Sequence, residues 1–385
     1  MTSCKWKQRP ALLLLAALVL GLTVAACGGG NEPSGPSTAD AAASADSGLA
    51  AAKKNVEAHV QAPGKIGPSE PIGKPIPKGK ILVFINCGAP ACALMGASFK
   101  QAGSVLGWTV QEIQAQPTPQ AVQAAFTEAL RRNPDGVVST GFAKELYQRQ
   151  LAELNAKKIP VFSGTGTDAS SFDPSRGITL EPEPPEKVAE ATRLLADKTT
   201  VDANGQGEIG SVLLTGFPIV KLYTEAYENQ IKKNCPECTV KRLTVEPTSI
   251  GKDSAQKIAN FLRANPKIEH LFLSYDALGL GLPTAVRNVG RDMPKNYSWA
   301  PDEPGVKALQ SGERTAAVPL GYNEIAWQWV DGFARIFTGG DIQESQKWAG
   351  YVLWSKDASD VPAEAKNPPY IPDYQKQFKK LWGVS

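Results

Sequence analysis

Five consecutive apolar residues, Ile81-Leu82-Val83-Phe84-Ile85, open a long alternation of two hydrophobic patterns along the chain. A continuous run of that length fits a parallel strand buried on both faces. A helical stretch follows over Cys92 to Leu106, then a strand-like Trp108 to Ile113. Pro119 to Arg132 places Val122, Phe126, Ala129 and Leu130 at helical spacing and stops at Asn133-Pro134. Gly136 to Ser139, a helix over Ala143 to Lys157 and the strand Ile159 to Phe162 complete a first βα series. The series then restarts with a helix over Pro185 to Ala196. Strands at Ile209 to Leu214, Val240 to Val245 and His270 to Ser274 alternate with helices at Ile219 to Lys233, Lys252 to Ala264 and Ala277 to Val289.

Such an alternation predicts an α/β fold with doubly wound parallel sheets. About three hundred residues exceed what one core usually holds, so two lobes joined by a hinge are expected. Arg314 to Leu320 and Tyr351 to Trp354 read as return crossings between them. Lobe 1 is then residues 80–181 plus about 318–345, and lobe 2 is 182–317 plus about 346–385.

The first 79 residues have another character. Lys5, Lys7 and Arg9 precede an apolar run from Ala11 to Leu22, too short to span a bilayer, and Val24-Ala25-Ala26-Cys27 closes it with small residues. This resembles a bacterial lipobox, which implies that residues 1–26 are removed and that Cys27 carries the lipid. Two acyl chains anchor stably where one does not. Gly28 to Gly48 offers almost nothing large to bury and is expected to be a tether. A short helical stretch, Leu49 to Val60, and the Pro- and Gly-rich Pro63 to Gly79 make residues 27–79 a lipidated tether and linker, with the folded region starting near Lys80.

Loss of the signal also settles the charge. It takes three basic and no acidic residues from 41 Lys and Arg set against 38 Asp and Glu, leaving the remainder formally neutral. A nucleic-acid partner is not expected of an exported chain without a basic excess.

Four cysteines remain as two local pairs, Cys87/Cys92 and Cys235/Cys238. In an oxidising compartment they read as two disulfides. Zinc binding is the competing reading, and a redox role for Cys235-Pro236-Glu237-Cys238 a third. Against zinc, the pairs lie far apart and His59 and His270 join neither. No metal or cofactor is expected.

Ordered phrases along the chain resemble the type I periplasmic binding proteins in their ribose- and galactose-binding branch. They are Lys80 to Ile85, Asn133-Pro134-Asp135-Gly136-Val137-Val138, Lys158-Ile159-Pro160-Val161, and Asn265 to Phe272 leading into Tyr275-Asp276. Cys87-Gly88-Ala89-Pro90-Ala91-Cys92 also looks like an actinobacterial lipoprotein subgroup of ABC sugar-transporter substrate-binding proteins. The resemblance implies a monomer that captures a small solute between two lobes and hands it to an ABC transporter permease. A receptor module that signals to a membrane partner is the alternative. An exported enzyme is not expected, because no Gly-x-Ser-x-Gly, phosphate loop or histidine cluster is present.

In open α/β sheets ligands sit beyond the carboxyl ends of the strands. The loops there supply the candidate ligand-binding residues Phe142, Ser163 and Thr165 in lobe 1, Phe217, Lys221, Tyr275, Asp276 and Trp299 in lobe 2, and Tyr322 by the hinge. Aromatic rings stack on flat ligands or sugar faces, and carboxylates accept hydroxyl hydrogens. Asp276 is the first choice, because the resemblance implies a ligand-binding aspartate after this strand; capping the following helix is its other reading. The chain also departs from the ribose branch. Ser163-Gly164-Thr165-Gly166 stands in place of an Asp-Arg pair, Lys221 in place of an arginine, and Leu320 in place of a hinge glutamine. Fewer charged groups and more aromatic ones imply a larger or less polar ligand than a free pentose.

Overall fold

The computed structural model describes residues 38–164, 177–182, 184–356, 361–366 and 368–385, with side chains from residue 46 onward. The signal, the lipobox and Cys27 lie outside the described residues, as does Thr165.

Two parallel sheets are built on the same winding. In the first, β1 (Ile81–Asn86), β2 (Thr109–Gln114), β3 (Gly136–Thr140) and β4 (Val161–Gly164) run in the order β2-β1-β3-β4. In the second, β5 (Gln206–Leu214), β6 (Glu237–Val245), β7 (Ile268–Leu273), β8 (Lys295–Trp299) and β9 (Ala316–Val318) are parallel, and β10 (Trp354–Ser355) closes the edge antiparallel to β9. Their order is β10-β9-β8-β7-β5-β6. Burial follows position: central β1 is buried along nearly its whole length, while edge strands β2 and β6 stay half exposed.

Helices α2 (Pro90–Val105), α3 (Pro119–Arg131) and α4 (Gln148–Ala156) connect the first sheet. Helices α5 (Pro185–Asp202), α6 (Pro218–Asn234), α7 (Ser254–Ala264), α8 (Leu282–Asn288) and α9 (Glu303–Ser311) serve the second. Several start with a proline in the first turn, where its missing N–H costs nothing. Two expected helices are interrupted. Ala277 to Val289 becomes a 3-10 turn, Asp276–Gly279, and then α8, because Gly281 takes a left-handed conformation (φ 73°) and Pro283 restarts the helix. Ala143 to Lys157 likewise divides into a 3-10 turn, Lys144–Leu146, and α4.

After β9 the chain returns to lobe 1 as α10 (Tyr322–Thr338), buried on nearly every side. Phe333 stacks on Phe162 at 3.9 Å, and Trp329 lies 5.9 Å from Phe84. Gly136 and Gly164 make this approach possible. A Cβ on Gly136 would stand 2.2 Å from Phe333, and one on Gly164 2.3 Å from Trp329.

Both ends of the chain depart from the expected division. Helix α11 (Tyr374–Trp382) packs on α10 of lobe 1, with Trp327 and Trp382 stacked at 5.2 Å. Residues 346–385 therefore split: β10 joins the lobe 2 sheet and α11 joins lobe 1, because the apolar face of α11 finds its matching surface on α10.

The folded region also starts well before Lys80. Helix α1 (Thr38–Ala58) lies on lobe 2, where Ala52 is fully buried and the Asn55 amide donates to Asp197 Oδ2 at 2.6 Å. The Pro- and Gly-rich segment after it is a docked strap rather than a free linker. The His59 carbonyl accepts from Leu353 N–H, Ile66 N–H donates to Gln377 Oε1, and Ile72 N–H donates to the Leu381 carbonyl. Prolines fix its extended path, its Ile66 and Ile72 amides find acceptors on α11, and the His59 carbonyl just ahead of it accepts from the segment before β10.

One buried acid ties the start of α10 to the C-terminal segment. Glu324 Oε1 accepts from Tyr370 N–H at 2.9 Å and Ile371 N–H at 3.0 Å, while Oε2 is buried without a partner. Burial pushes its carboxyl up from 4.5 to about 7, against the lowering effect of those amides. The folded protein therefore binds a proton that the unfolded chain releases, and stability falls as pH rises from 4.5 through 7. Glu324→Gln keeps the acceptor and removes the titration. Urea melts should show a flatter pH profile and a gain of about 3 kcal/mol over the parent at pH 8, with no gain at pH 4.

Candidate binding cleft

A cavity of 90 Å³ lies between the lobes, beyond the carboxyl ends of the strands. Lobe 1 contributes Cys87, Ala89, Ala91, Cys92, Met95 and Gly141, from the ends of β1 and β3 and the first turns of α2. Lobe 2 contributes Leu214 and Phe217 after β5, Ile219, Val220 and Tyr223 from α6, Tyr275 after β7, and Trp299 and Ala300 at the end of β8. Leu320 and Tyr322 close it at the hinge. The free volume is below the roughly 150 Å³ of an apolar cavity that holds benzene, so a ligand of sugar size enters only if the lobes part.

The walls are aromatic and aliphatic, and most of their polar atoms are spent on backbone. Tyr223 hydroxyl donates to the Ser274 carbonyl at 2.7 Å, and Tyr322 hydroxyl donates to the Ala300 carbonyl at 3.0 Å. Burial pushes the Tyr223, Tyr275 and Tyr322 hydroxyls above their ordinary value, so all three keep their protons. Two polar groups remain uncommitted. Among the described residues the buried Trp299 Nε1 proton has no acceptor, and neither has the proton of the Tyr275 hydroxyl, whose oxygen faces the Ala91 amide of lobe 1. The Trp299 ring lies 4.7 Å from that of Tyr223.

Disulfides join both cysteine pairs. Cys235–Cys238 sits at the turn from α6 into β6, while Cys87–Cys92, with Cα atoms 5.9 Å apart, ties the end of β1 to the first turn of α2 and forms part of the cleft wall. Among the described residues no group of His, Cys, Asp and Glu could hold a metal ion.

Of the ligand-binding candidates read from sequence, Phe217, Tyr275, Trp299 and Tyr322 line the cavity. Asp276 does not. Its carboxylate turns into lobe 2, 3.1 Å from Arg314 Nη2, and accepts from the Ser298 hydroxyl at 2.6 Å. There it borders a separate cavity of 230 Å³ behind the cleft wall. A buried cation 38 residues away claims the carboxylate, and neither a ligand contact nor a helix cap describes it. Phe142 is core, Ser163 is buried in β4 with its N–H on the Leu180 carbonyl, and Lys221 points to solvent beside Glu225.

Sequence reasoning passed over Met95, Tyr223, Ile219 and Val220. The signal was present in the i, i+1, i+4 spacing of the last three at the start of α6: the first turn of a helix that leaves a cleft loop faces the cleft as well. The Cys87–Cys92 disulfide forms part of the wall beside Met95.

No protein-family model and no curated relative matches the chain. Solved structures do. An arabinose-binding protein from Geobacillus stearothermophilus shares 13% identity at a TM-score of 0.59, over 74% of this chain and 98% of its own. An ABC transporter solute-binding protein from Burkholderia graminis, solved with D-arabinose, shares 16% at 0.64, over 76% and 100%. Another from Agrobacterium vitis, bound to α-D-tagatopyranose, shares 16% at 0.64, over 75% and 97%. With two parallel sheets of matching winding, a helical return at the hinge and a cavity between the lobes, the chain has the fold of the type I periplasmic binding proteins.

Proposed function

We propose that this protein is a lipid-anchored extracytoplasmic solute-binding protein that captures a small ligand between its lobes and delivers it to an ABC importer. The observation that carries this reading is the interlobe cavity, whose wall is drawn from both lobes and the hinge. A ligand there touches both lobes at once and stabilises their closed arrangement, which gives a permease a shape to recognise. The names of the structural neighbours, which are binding proteins for arabinose and other sugars, support the solute-binding role. Titration calorimetry of the purified protein against sugars, polyols and small aromatic compounds tests it. A saturable, one-to-one ligand is the expected result, and turnover of a bound compound would overturn the reading.

The lipobox supports attachment to the outer face of the cell membrane. No helix among the described residues is long and apolar enough to cross a membrane. Cys27→Ser should move the protein from the membrane fraction to the soluble extracytoplasmic fraction. Retention in the membrane would remove the lipid from the argument.

A further inference from the structure

The two uncommitted polar groups in the cleft are both donors. An indole N–H can only donate, and Trp299 is 5% exposed, so its proton finds no acceptor among the described residues. A buried unmade hydrogen bond of this kind costs free energy that a ligand acceptor would recover. The protonated Tyr275 hydroxyl, on the neighbouring strand end, offers the second donor, with its oxygen toward the Ala91 amide at the start of α2. Flat rings surround the pair: Tyr223 packs against Trp299, and Phe217 and Tyr322 complete the wall.

Charge restricts the ligand further. Lys221 points outward and Arg314 is committed to Asp276 and Asn296, so neither cation reaches the cleft. Asp302 bears on both Tyr275 and Tyr322, while the charge of Asp276 is offset by its ion pair with Arg314. An anionic ligand would lose its hydration in the cavity and meet no cation among the described residues that line it. A polyol would bring several hydroxyl protons to a wall whose described side chains offer mainly donors and apolar surface.

We infer that the cleft, if it is the solute site proposed above, takes a neutral, flat compound whose carbonyl or similar acceptor oxygen receives the Trp299 indole N–H and the Tyr275 hydroxyl, rather than a free sugar or a carboxylate. The inference rests on the proposed solute-binding role and narrows its ligand class.

Benzamide and benzoate test it as a pair of nearly equal shape and opposite charge state, with coumarin as a larger neutral carbonyl compound, naphthalene as a flat compound without an acceptor, and D-galactose as the sugar. Calorimetry or ligand-observed NMR on the full exported protein is expected to show benzamide or coumarin binding more tightly than benzoate and D-galactose. Trp299→Phe keeps a ring and removes the donor. It should weaken the carbonyl ligand about tenfold and leave naphthalene binding within about twofold. Tighter binding of D-galactose or benzoate, or equal affinity of the carbonyl ligand for the parent and Trp299→Phe, overturns the ligand class and leaves the solute-binding role standing. Absence of binding by every probe overturns the ligand class, and only a further failure of the broader titration would overturn the role itself.

Discussion

Asp276→Ala should cost the protein about 3 to 5 kcal/mol of stability and leave the affinity of the folded protein for its ligand nearly unchanged. The carboxylate is 3% exposed and its partner Arg314 4% exposed, so the pair is held in the interior of lobe 2. Removing one member strands the other. Arg314 would keep only uncharged partners, Asn296 Oδ1 at 2.7 Å from Nη1 and the backbone carbonyl of residue 276 at 3.5 Å from Nη2, and the Ser298 hydroxyl would lose its acceptor. The packing around the carboxylate is close as well: a Cβ on Gly305 would stand 2.0 Å from Asp276 Oδ2. A melting-temperature loss on the order of 10 °C is the expected readout in calorimetry or dichroism. Replacing the pair together, Asp276→Leu with Arg314→Met, should recover much of that loss, because a buried ion pair contributes little net stability over apolar residues of similar volume. A normal melt combined with weakened ligand binding would return the carboxylate to the cleft.

Trp382→Ala should destabilise lobe 1 by about 3 to 5 kcal/mol, the usual cost of deleting a buried tryptophan. The ring lies nearly parallel to Trp327, at 7°, and near Phe378 at 5.7 Å. Its indole N–H donates to Asp331 Oδ1 at 3.0 Å. Asp331 is fully buried, with Arg335 Nε at 2.8 Å and the Ser345 hydroxyl at 2.5 Å on its other oxygen. The substitution thus opens a cavity and weakens the hydrogen bonding of a buried carboxylate at once. Trp382→Phe separates the two effects: it keeps an aromatic contact and loses a hydrogen bond to a charged group worth about 1.5 to 3 kcal/mol. Hydrogen exchange should localise the loss of protection to α10, α11 and the strap at Ile66 to Ile72. Loss of protection centred on β5 to β9 would instead place the C-terminal helix with lobe 2.

The alternation of elements was legible because a parallel strand buried on both faces must be apolar at successive positions. Ile81 to Ile85, and the shorter Val212 to Leu214, therefore announce themselves without reference to any partner. Helix starts and stops were equally local, as with Pro119 at the head of α3 and Asn133 (φ 45°) at its end. Of the five aromatic candidates, Phe217, Tyr275, Trp299 and Tyr322 line the interlobe cavity and Phe142 is core.

What the sequence by itself determined is the α/β alternation and the presence of two lobes, both of which follow from burial patterns within a few residues of each element. Only the tertiary structure decided where charged and terminal groups go. Asp276 belongs to Arg314, α11 to α10, and the proline-rich strap to amide and carbonyl partners about three hundred residues away. The physical reason is that a carboxylate, an amphipathic helix and a row of backbone amides each carry a demand without an address. The partner that meets it is chosen by the whole folded surface, and periodicity along the chain holds no record of that choice.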